Sequence, residues 1–452
     1  MWTRTRPLRE EERVSRRSGD RLTRIDGVSG EKFNRPHRDQ GIYFGPDRNR
    51  ISSMTTTLPI LRLLKHKDRR LRAGHMWIFS NEVDNRNTPL TAFEPGAAVL
   101  IQDASGHNLG TGYVNPHALI CARLVSRNPK YPLDKSLIVH RLNVALSLRE
   151  RLFAQPYYRL AYGDSDGLPG LVVDRFGDVL VVQITTAGME RLKSDIVAAL
   201  EKVIRPSAIL LRNDTSSREL EGLDSYVETA LGEMPDQLTI IENGASFTAS
   251  ASQGQKTGWF YDQRSNRAAM QKYVKGMRVL DVFSYVGGWG IQAAMAGADS
   301  VTCVDSSALA IDSVNANAEL NQVGDEVIAV KEEAFEALRQ IRAEREKFDV
   351  VIIDPPAFIK RKKDVNEGLK AYHRLNRMAM QVLSKDGILI SCSCSYHLQQ
   401  DKLREIILGA SRHIDRFAQI IEHGQQGPDH PVHPGIPETE YLKAFFTRVL
   451  PN

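Results

Sequence analysis

The sequence predicts an α/β protein in three folded parts: a small β-barrel module, a middle α/β domain and a C-terminal Rossmann-like domain. Three observations predict it. Strand-like and helix-like segments alternate regularly over the last 200 or so residues. Short apolar runs punctuated by Gly, Asp and Asn fill residues 58–126, and a helical stretch followed by a tight hairpin separates these two regions. A chain of 452 residues is long enough for two or three domains.

Residues 1–53 hold 13 Lys and Arg against 8 Asp and Glu, with few periodic apolar positions and scattered Gly and Pro. That is the composition of a disordered extension. Residues 54–452 carry 47 residues of each sign, so the net charge of +5 belongs to the first segment and does not mark the rest as nucleic-acid-binding. A basic RNA-binding tail, a transit peptide and an over-extended gene start compete for this segment. The acidic run "REEER" argues against a transit peptide. The over-extended start is preferred, with Met54 as the true beginning, because folded-looking sequence follows directly.

The β-barrel module is assigned to 54–130, on "GAAVLIQDASGHNLGTGYVNPHALICARLV" above all. The middle domain, 131–240, begins with the helical spacing of "LDKSLIVHRLNVALSLRERLF". It continues with a hairpin turning at Phe176-Gly177-Asp178 and with two helical stretches flanking "AILLRND". In 241–452 strands are read at 277–283, 300–305, 326–332, 348–354 and 387–393, with helical patterns between them. Helix "QQDKLREIILGASRHI" is followed by two strands, "FAQIIEH" and "YLKAFFTRVL", with no helix between. Five βα steps closed by a β-hairpin describe class I methyltransferases better than dinucleotide-binding Rossmann folds. No apolar run approaches a membrane span and no secretory signal opens the chain. Four unevenly spaced cysteines (Cys121, Cys303, Cys392, Cys394) form no disulfide framework, so a cytoplasmic setting is expected.

The strand ends carry the candidate site. "VLDVFSYVGGWG" (279–290) is a strand, a glycine turn and a helix start, and Gly287, Gly288 and Gly290 are read as letting the backbone approach a ligand. Their spacing is not that of a pyrophosphate cradle. Asp305 ends the second strand, where a carboxylate suits two ribose hydroxyls, and Glu333 follows the third, where it can meet an adenine amino group. Each acid alone is more often a helix cap or a solvated strand end. Three such features in order suggest S-adenosylmethionine.

The fourth strand ends in "FDVVIIDPPAF", where Asp354 and two prolines make a rigid turn and Phe358 is expected to stack on a flat base. The fifth ends in "GILISCSCSYHL". Packing, half of a metal site, or a nucleophile are the readings for Cys392 and Cys394, while Cys303 and Cys121 are taken as packing. No second Cys/His pair stands at ligand spacing, so no metal is assigned. A thiolate at this strand end explains more, because carbon 5 of a pyrimidine accepts a methyl group only after a nucleophile has added to carbon 6.

These stretches resemble the bacterial RlmI-type 23S ribosomal RNA cytosine-5 methyltransferases from about Leu58 to the C-terminus. The resemblance rests on "GDSDGLPGLVVDRFGD" (163–178), "GQKTGWFYDQRSNR" (254–267), "FSYVGGWG", "DPPAF", "SCS" (393–395) and "DHPV…PETEYLKAF" (429–445). It implies an N-terminal PUA RNA-binding barrel and a methyltransferase domain using S-adenosylmethionine. It implies Cys394 as the nucleophile and Asp354 as the carboxylate bonding the cytosine ring. Cofactor contacts are implied for Phe283, Ser284, Tyr285, Gly287, Asp305, Glu333, Asp354, Gln263 and Arg264, and substrate contacts for Pro355, Phe358, Lys360 and Arg361. Glu333 stands where an Asp is more usual, and Ala357 where a Lys is frequent. "KRKKD" (360–364) reads either as a solvated loop or as a phosphate contact. The expected function is methylation of cytosine carbon 5 in large-subunit ribosomal RNA, with a homodimer left open. Guanine methylation and a non-catalytic RNA-binding or assembly role are the alternatives.

Overall fold

The computed structural model describes residues 58–251 and 257–452; the readings made for residues 1–53 and Met54, and the start of "GQKTGWFYDQRSNR", lie outside them. The first module contains β1 (Ile60–Arg62), α1 (Arg69–Arg72), β2 (Trp77–Phe79), β3 (Ala97–Gln102), β4 (Asn108–Val114) and β5 (Ile120–Ser126). Its five strands lie in the order β1-β3-β4-β5-β2, and a bridge between Leu63 and Val83 brings the two edges together. Leu61, Ile78, Val99 and Leu124 fill the interior.

The middle domain opens with α2 (Lys135–Leu152), capped by Asp134 Oδ1, which accepts from the Leu137 amide at 2.9 Å. Its sheet comprises β6 (Tyr157–Tyr162), β7 (Leu171–Phe176), β8 (Val179–Ile184), β9 (Ala208–Asn213) and β10 (Tyr226–Leu231), with α3 (Ala187–Arg191) and α4 (Lys193–Ile204) between β8 and β9. Phe176 pairs with Val179, so the hairpin turns on Gly177, whose φ of +67° suits glycine, and Asp178. One expectation is corrected here. Only the stretch before β9 is an α-helix; the one after it is a single 3₁₀ turn, Glu219–Glu221, followed by β10. Gly222 at φ +71° ends the turn, and the buried Arg218 is anchored to Glu190 at 2.8 Å.

β11 (Gln237–Glu242) and β12 (Ala245–Ser250) form a hairpin across Asn243-Gly244, both at positive φ, so residue 240 falls inside one paired unit. Its Ile240 and Phe247 share an apolar cluster with Val181 and Leu210 of the middle sheet and Val279 of the last one.

The last part runs through α5 (Arg264–Met270), β13 (Arg278–Val282), α6 (Gly290–Met295), β14 (Ser300–Asp305), α7 (Ala308–Leu320), β15 (Val327–Lys331), α8 (Ala334–Ala343), β16 (Phe348–Ile353), α9 (Val365–Gln381), β17 (Leu383–Ser393), α10 (Gln400–His413), β18 (Arg416–Gln425) and β19 (Lys443–Pro451). The sheet order is β15-β14-β13-β16-β17-β19-β18, with β15 through β17 parallel and β19 antiparallel to both neighbours. Alternate residues serve opposite faces. Val279, Cys303, Ile352, Ile390 and Cys392 pack with α6, α7 and the hairpin, while Leu280, Val304, Ile353 and Leu389 pack under α8, α9 and α10. Strand order reverses at β13, which opens a crevice above the carboxyl ends of β13, β14 and β16. Among the described residues no helix is long and apolar enough to cross a membrane.

Candidate active site

A cavity of about 480 Å³ occupies this crevice, a size suited to a nucleoside-sized ligand. The turn after β13 is bent sharply: Phe283 and Tyr285 stand at φ +68° and +50°, a conformation costly for non-glycine residues and held here by the surroundings. The Phe283 and Ser284 amides both donate to the Val304 carbonyl at 3.0 Å. The Tyr285 amide donates to Asp305 Oδ2 at 3.0 Å and the Ser307 amide to Asp305 Oδ1 at 2.9 Å. Asp305 is thereby fixed by two backbone donors, and each oxygen keeps a lone pair for a ligand hydroxyl. Ser284 Oγ is buried beside it with no hydrogen-bond partner among the described residues. At Gly288 an added Cβ would meet Trp259 at 3.2 Å and the Arg267 guanidinium at 3.3 Å, so a bare backbone lines the cavity there.

Glu333 lines the far end and also caps α8: its Oε2 accepts from the Phe335 amide at 2.9 Å and the Glu336 amide at 3.2 Å. Asp354 stands opposite, with Oδ2 accepting from Gln263 Nε2 at 3.0 Å and Trp289 Nε1 at 3.1 Å. Burial pushes its carboxyl up to about 6, against the pull of the Trp289 hydrogen bond. Pro355 and Lys360 complete this wall.

Cys394 lines the same cavity, its Sγ 4.0 Å from the Pro355 carbonyl oxygen. Cys392, two residues earlier, is sealed in the core, where burial raises its thiol well above the ordinary range. Ser393 and Ser395 turn to the other face. Ser393 Oγ donates to the Tyr372 hydroxyl at 2.9 Å, and that hydroxyl shares a 2.8 Å hydrogen bond with Ser395 Oγ. The serines of "SCS" thus pin the strand end to α9 while the cysteine between them faces the cavity.

Five of the expected residues do not line the cavity. Arg264 points away from the cavity: its guanidinium donates to the Tyr157 carbonyl, lies 3.4 Å from Glu242 Oε2 and covers the Phe153 ring at 4.5 Å. Arg267, one helical turn later, lines the cavity instead. Phe358 turns out to Tyr372, ring centroids 4.8 Å apart, because the apolar cluster under α9 buries more of it than an open crevice would. Arg361 pairs with Asp364 at 3.2 Å on the exposed side. Gly287 and Gly290 serve packing rather than ligand approach: a Cβ would meet Ile291 at 2.9 Å and Cys303 Sγ at 2.3 Å respectively.

The structure adds residues the sequence reading passed over. Trp259, Phe260 and Trp289 supply aromatic lining, and "GWFYDQRSNR" was the signal available for the first two. Asp281 is fully buried below the cavity floor; Oδ2 accepts from the Gly290 amide at 2.9 Å, and burial raises its carboxyl to about 7. Lys443, facing Ser393 across the β17–β19 ladder, donates Nζ to the Ser395 and Tyr441 carbonyls, each at 2.7 Å. Burial lowers its amine to about 8, partly offset by attraction to the neighbouring Cys394 sulfur.

Residues 61–127 match the model of a PUA-like domain, and residues 214–443 match that of an S-adenosylmethionine-dependent methyltransferase. Over 395 residues, 86% of this chain and 99% of the relative, the chain is 36% identical to ribosomal RNA large subunit methyltransferase I of Erwinia tasmaniensis. It matches the protein of the same name from Shigella boydii to the same extent. Among solved structures, a protein from Streptococcus mutans described as an S-adenosylmethionine-dependent methyltransferase shares the fold at a TM-score of 0.73 and 23% identity, covering 86% of this chain and 100% of that one. A second methyltransferase structure, complexed with S-adenosylhomocysteine, gives 0.74 over the same shares.

Proposed function

We propose that this chain, which belongs to the ribosomal RNA large subunit methyltransferase I family, methylates carbon 5 of a cytosine in large-subunit ribosomal RNA through a covalent bond to Cys394. S-adenosylmethionine, on which the family's methyltransferase domain depends, supplies the electrophilic methyl group. The residues of this chain do the rest. Asp305, held by two amides, receives the ribose hydroxyls, and the unpartnered Ser284 Oγ offers a further polar contact. The Cys394 thiolate adds to carbon 6, forming a carbon–sulfur bond and shifting the ring's π electrons to carbon 5. Asp354, poised near pH 6, shares a proton with the ring nitrogen between carbons 2 and 4, which draws electrons toward the base and eases that addition. The charge on Lys443 favours the thiolate over the thiol. Loss of the carbon-5 proton to solvent water after methyl transfer re-forms the ring double bond and expels the thiolate.

The observation that carries this reading is that Cys394 and Asp354 share one cavity with Asp305 while Cys392 is shut inside the sheet. The PUA-like module and Lys360 supply RNA contacts that need not read sequence. RNA carrying 5-fluorocytosine at the target has no carbon-5 proton to lose, so it should trap an adduct that survives denaturation. Cys394→Ala should abolish adduct and turnover while keeping cofactor affinity. Cys392→Ala should keep both and lose about 1 kcal/mol of stability through a small cavity. Adduct formation by Cys394→Ala, or cytosine methylation by the intact enzyme with no trappable adduct, would refute the covalent assignment. Methylation of guanine needs no thiol, so activity retained by Cys394→Ser would point there instead.

A further inference from the structure

Beside the cofactor cavity lies a second one of about 450 Å³, walled on one side by the middle sheet and on the other by the loop between β18 and β19. The two cavities share Trp259, Phe260 and Asp262, so they are neighbours across a single wall. Nothing in the proposed chemistry uses this space. Two stretches singled out in the sequence nonetheless border it. His430 and Tyr441 come from "DHPV…PETEYLKAF", and Asp174 of "GDSDGLPGLVVDRFGD" holds the lining Arg159 through two 2.8 Å hydrogen bonds.

The chemistry of the lining is specific. Both arginines are already neutralised, Arg159 by Asp174 and Arg212 by Asp214 at 3.0 Å, so the cavity is poorly suited to a phosphate. Flat aromatic surface comes from Tyr162 and Phe260; Trp259 also lines the cavity but is 2% exposed, its ring packed on Phe247 and covered by Arg267. The Tyr441 hydroxyl donates to Asp262 Oδ2 at 2.5 Å, setting a hydroxyl and a carboxylate on the shared wall. Gln183 stands on β8, a strand otherwise wholly apolar, and is 8% exposed. It lines the cavity, and its Nε2 has no hydrogen-bond partner among the described residues. A buried amide donor without an acceptor bears a desolvation cost that an arriving acceptor would relieve.

We propose that this cavity is a second base pocket, which takes the nucleobase next to the target cytosine in the same RNA strand, stacked on the aromatic wall with an acceptor edge on Gln183 Nε2. The proposal rests on the RNA methylation proposed above, and it adds a reason for the substrate to be single-stranded at the site, since unstacked bases present both a face and an edge. The middle domain then acts as part of the substrate site.

The test uses the full enzyme and RNA spanning the methylated cytosine, intact or abasic at either neighbouring nucleotide. Binding is measured with S-adenosylhomocysteine present. For the wild type, one of the two abasic RNAs should bind on the order of tenfold more weakly than intact RNA, the loss of one stacked and bonded base. Gln183→Leu should bind intact RNA more weakly and lose most of its preference for it over the abasic form. S-adenosylmethionine affinity should stay at the wild-type value and the thermal midpoint should not fall, and Gln183→Met, which keeps the length without a donor or a charge, covers the case of a Leu variant that fails to fold. Equal binding of all three RNAs by the wild type, or an undiminished abasic penalty in the folded variants, overturns the pocket. Mass spectrometry of the product separates the two claims: cytosine carbon-5 methylation without any abasic penalty removes only the pocket, and an abasic penalty with methylation elsewhere removes only the cytosine assignment.

Discussion

Gln263 donates its side-chain amide to Asp354 Oδ2 at 3.0 Å while its own oxygen accepts from Asn266 Nδ2 at 2.6 Å. Both ends of Gln263 are therefore engaged, and it acts as a strut that fixes Asp354 although it also lines the cavity. Because that hydrogen bond favours the charged carboxylate, Gln263→Leu should raise the Asp354 pKa further above about 6. Carbon-13 NMR titration of the Asp354 carboxyl checks this, and a fall in the titration midpoint would contradict the strut.

Asp281 sits in the sheet with its carboxyl raised to about 7 by burial and its Oδ1 without a partner among the described residues. A folded pKa above the unfolded value means that its stabilising contribution is complete below the unfolded pKa and is lost as pH rises through the folded one. Asp281→Asn removes that titration. Its stability relative to the wild type should therefore improve on going from pH 5 to pH 8, by on the order of a few kcal/mol at most. Thermal or urea unfolding at the two pH values reads the sign, and a relative change in the opposite direction would show that the carboxylate is stabilised.

Lys443 reaches the Cys394 region from β19, with two carbonyls holding its amine. Replacing it by Met keeps length and removes charge, so the thiolate should form only at higher pH and the acid limb of kcat/KM should move to alkaline pH. Lys443→Arg, which retains charge, should leave that limb closer to the wild type. An unmoved limb in Lys443→Met, with protein that remains folded, would assign the lysine to strand anchoring alone.

Asp305→Ala should weaken S-adenosylmethionine binding by a few kcal/mol at most, about the value of hydrogen bonds to a charged group left unmade. Its two backbone donors, Tyr285 and Ser307, would lose their acceptor too, so the thermal midpoint should fall in the same variant. Calorimetry that finds unchanged affinity removes Asp305 from the ligand site.

The arrangement of strands and the polar residues at their ends were legible because both follow local rules. Apolar runs of four to six residues ending in an acid or a turn announced β13 through β17, and parallel pairing then brought Asp305, Asp354 and Cys394 to one edge. The spacing of Cys392 and Cys394 likewise set them on one face of a strand. Side-chain direction was not legible, because it is settled by competition for burial among groups distant in sequence. Phe358 gained more from Tyr372 than from the crevice, Arg264 was drawn to Tyr157 and Glu242, and Gly290 was required by Cys303 on the next strand. Lys443 was invisible for a related reason: only the antiparallel register of β17 with β19 sets it opposite Ser393, fifty residues earlier in the chain. The sequence by itself determined which chemistry was available and which strand ends carried it. Tertiary packing alone decided which of those side chains face the cavity, since burying apolar surface and satisfying buried polar groups are properties of the whole fold.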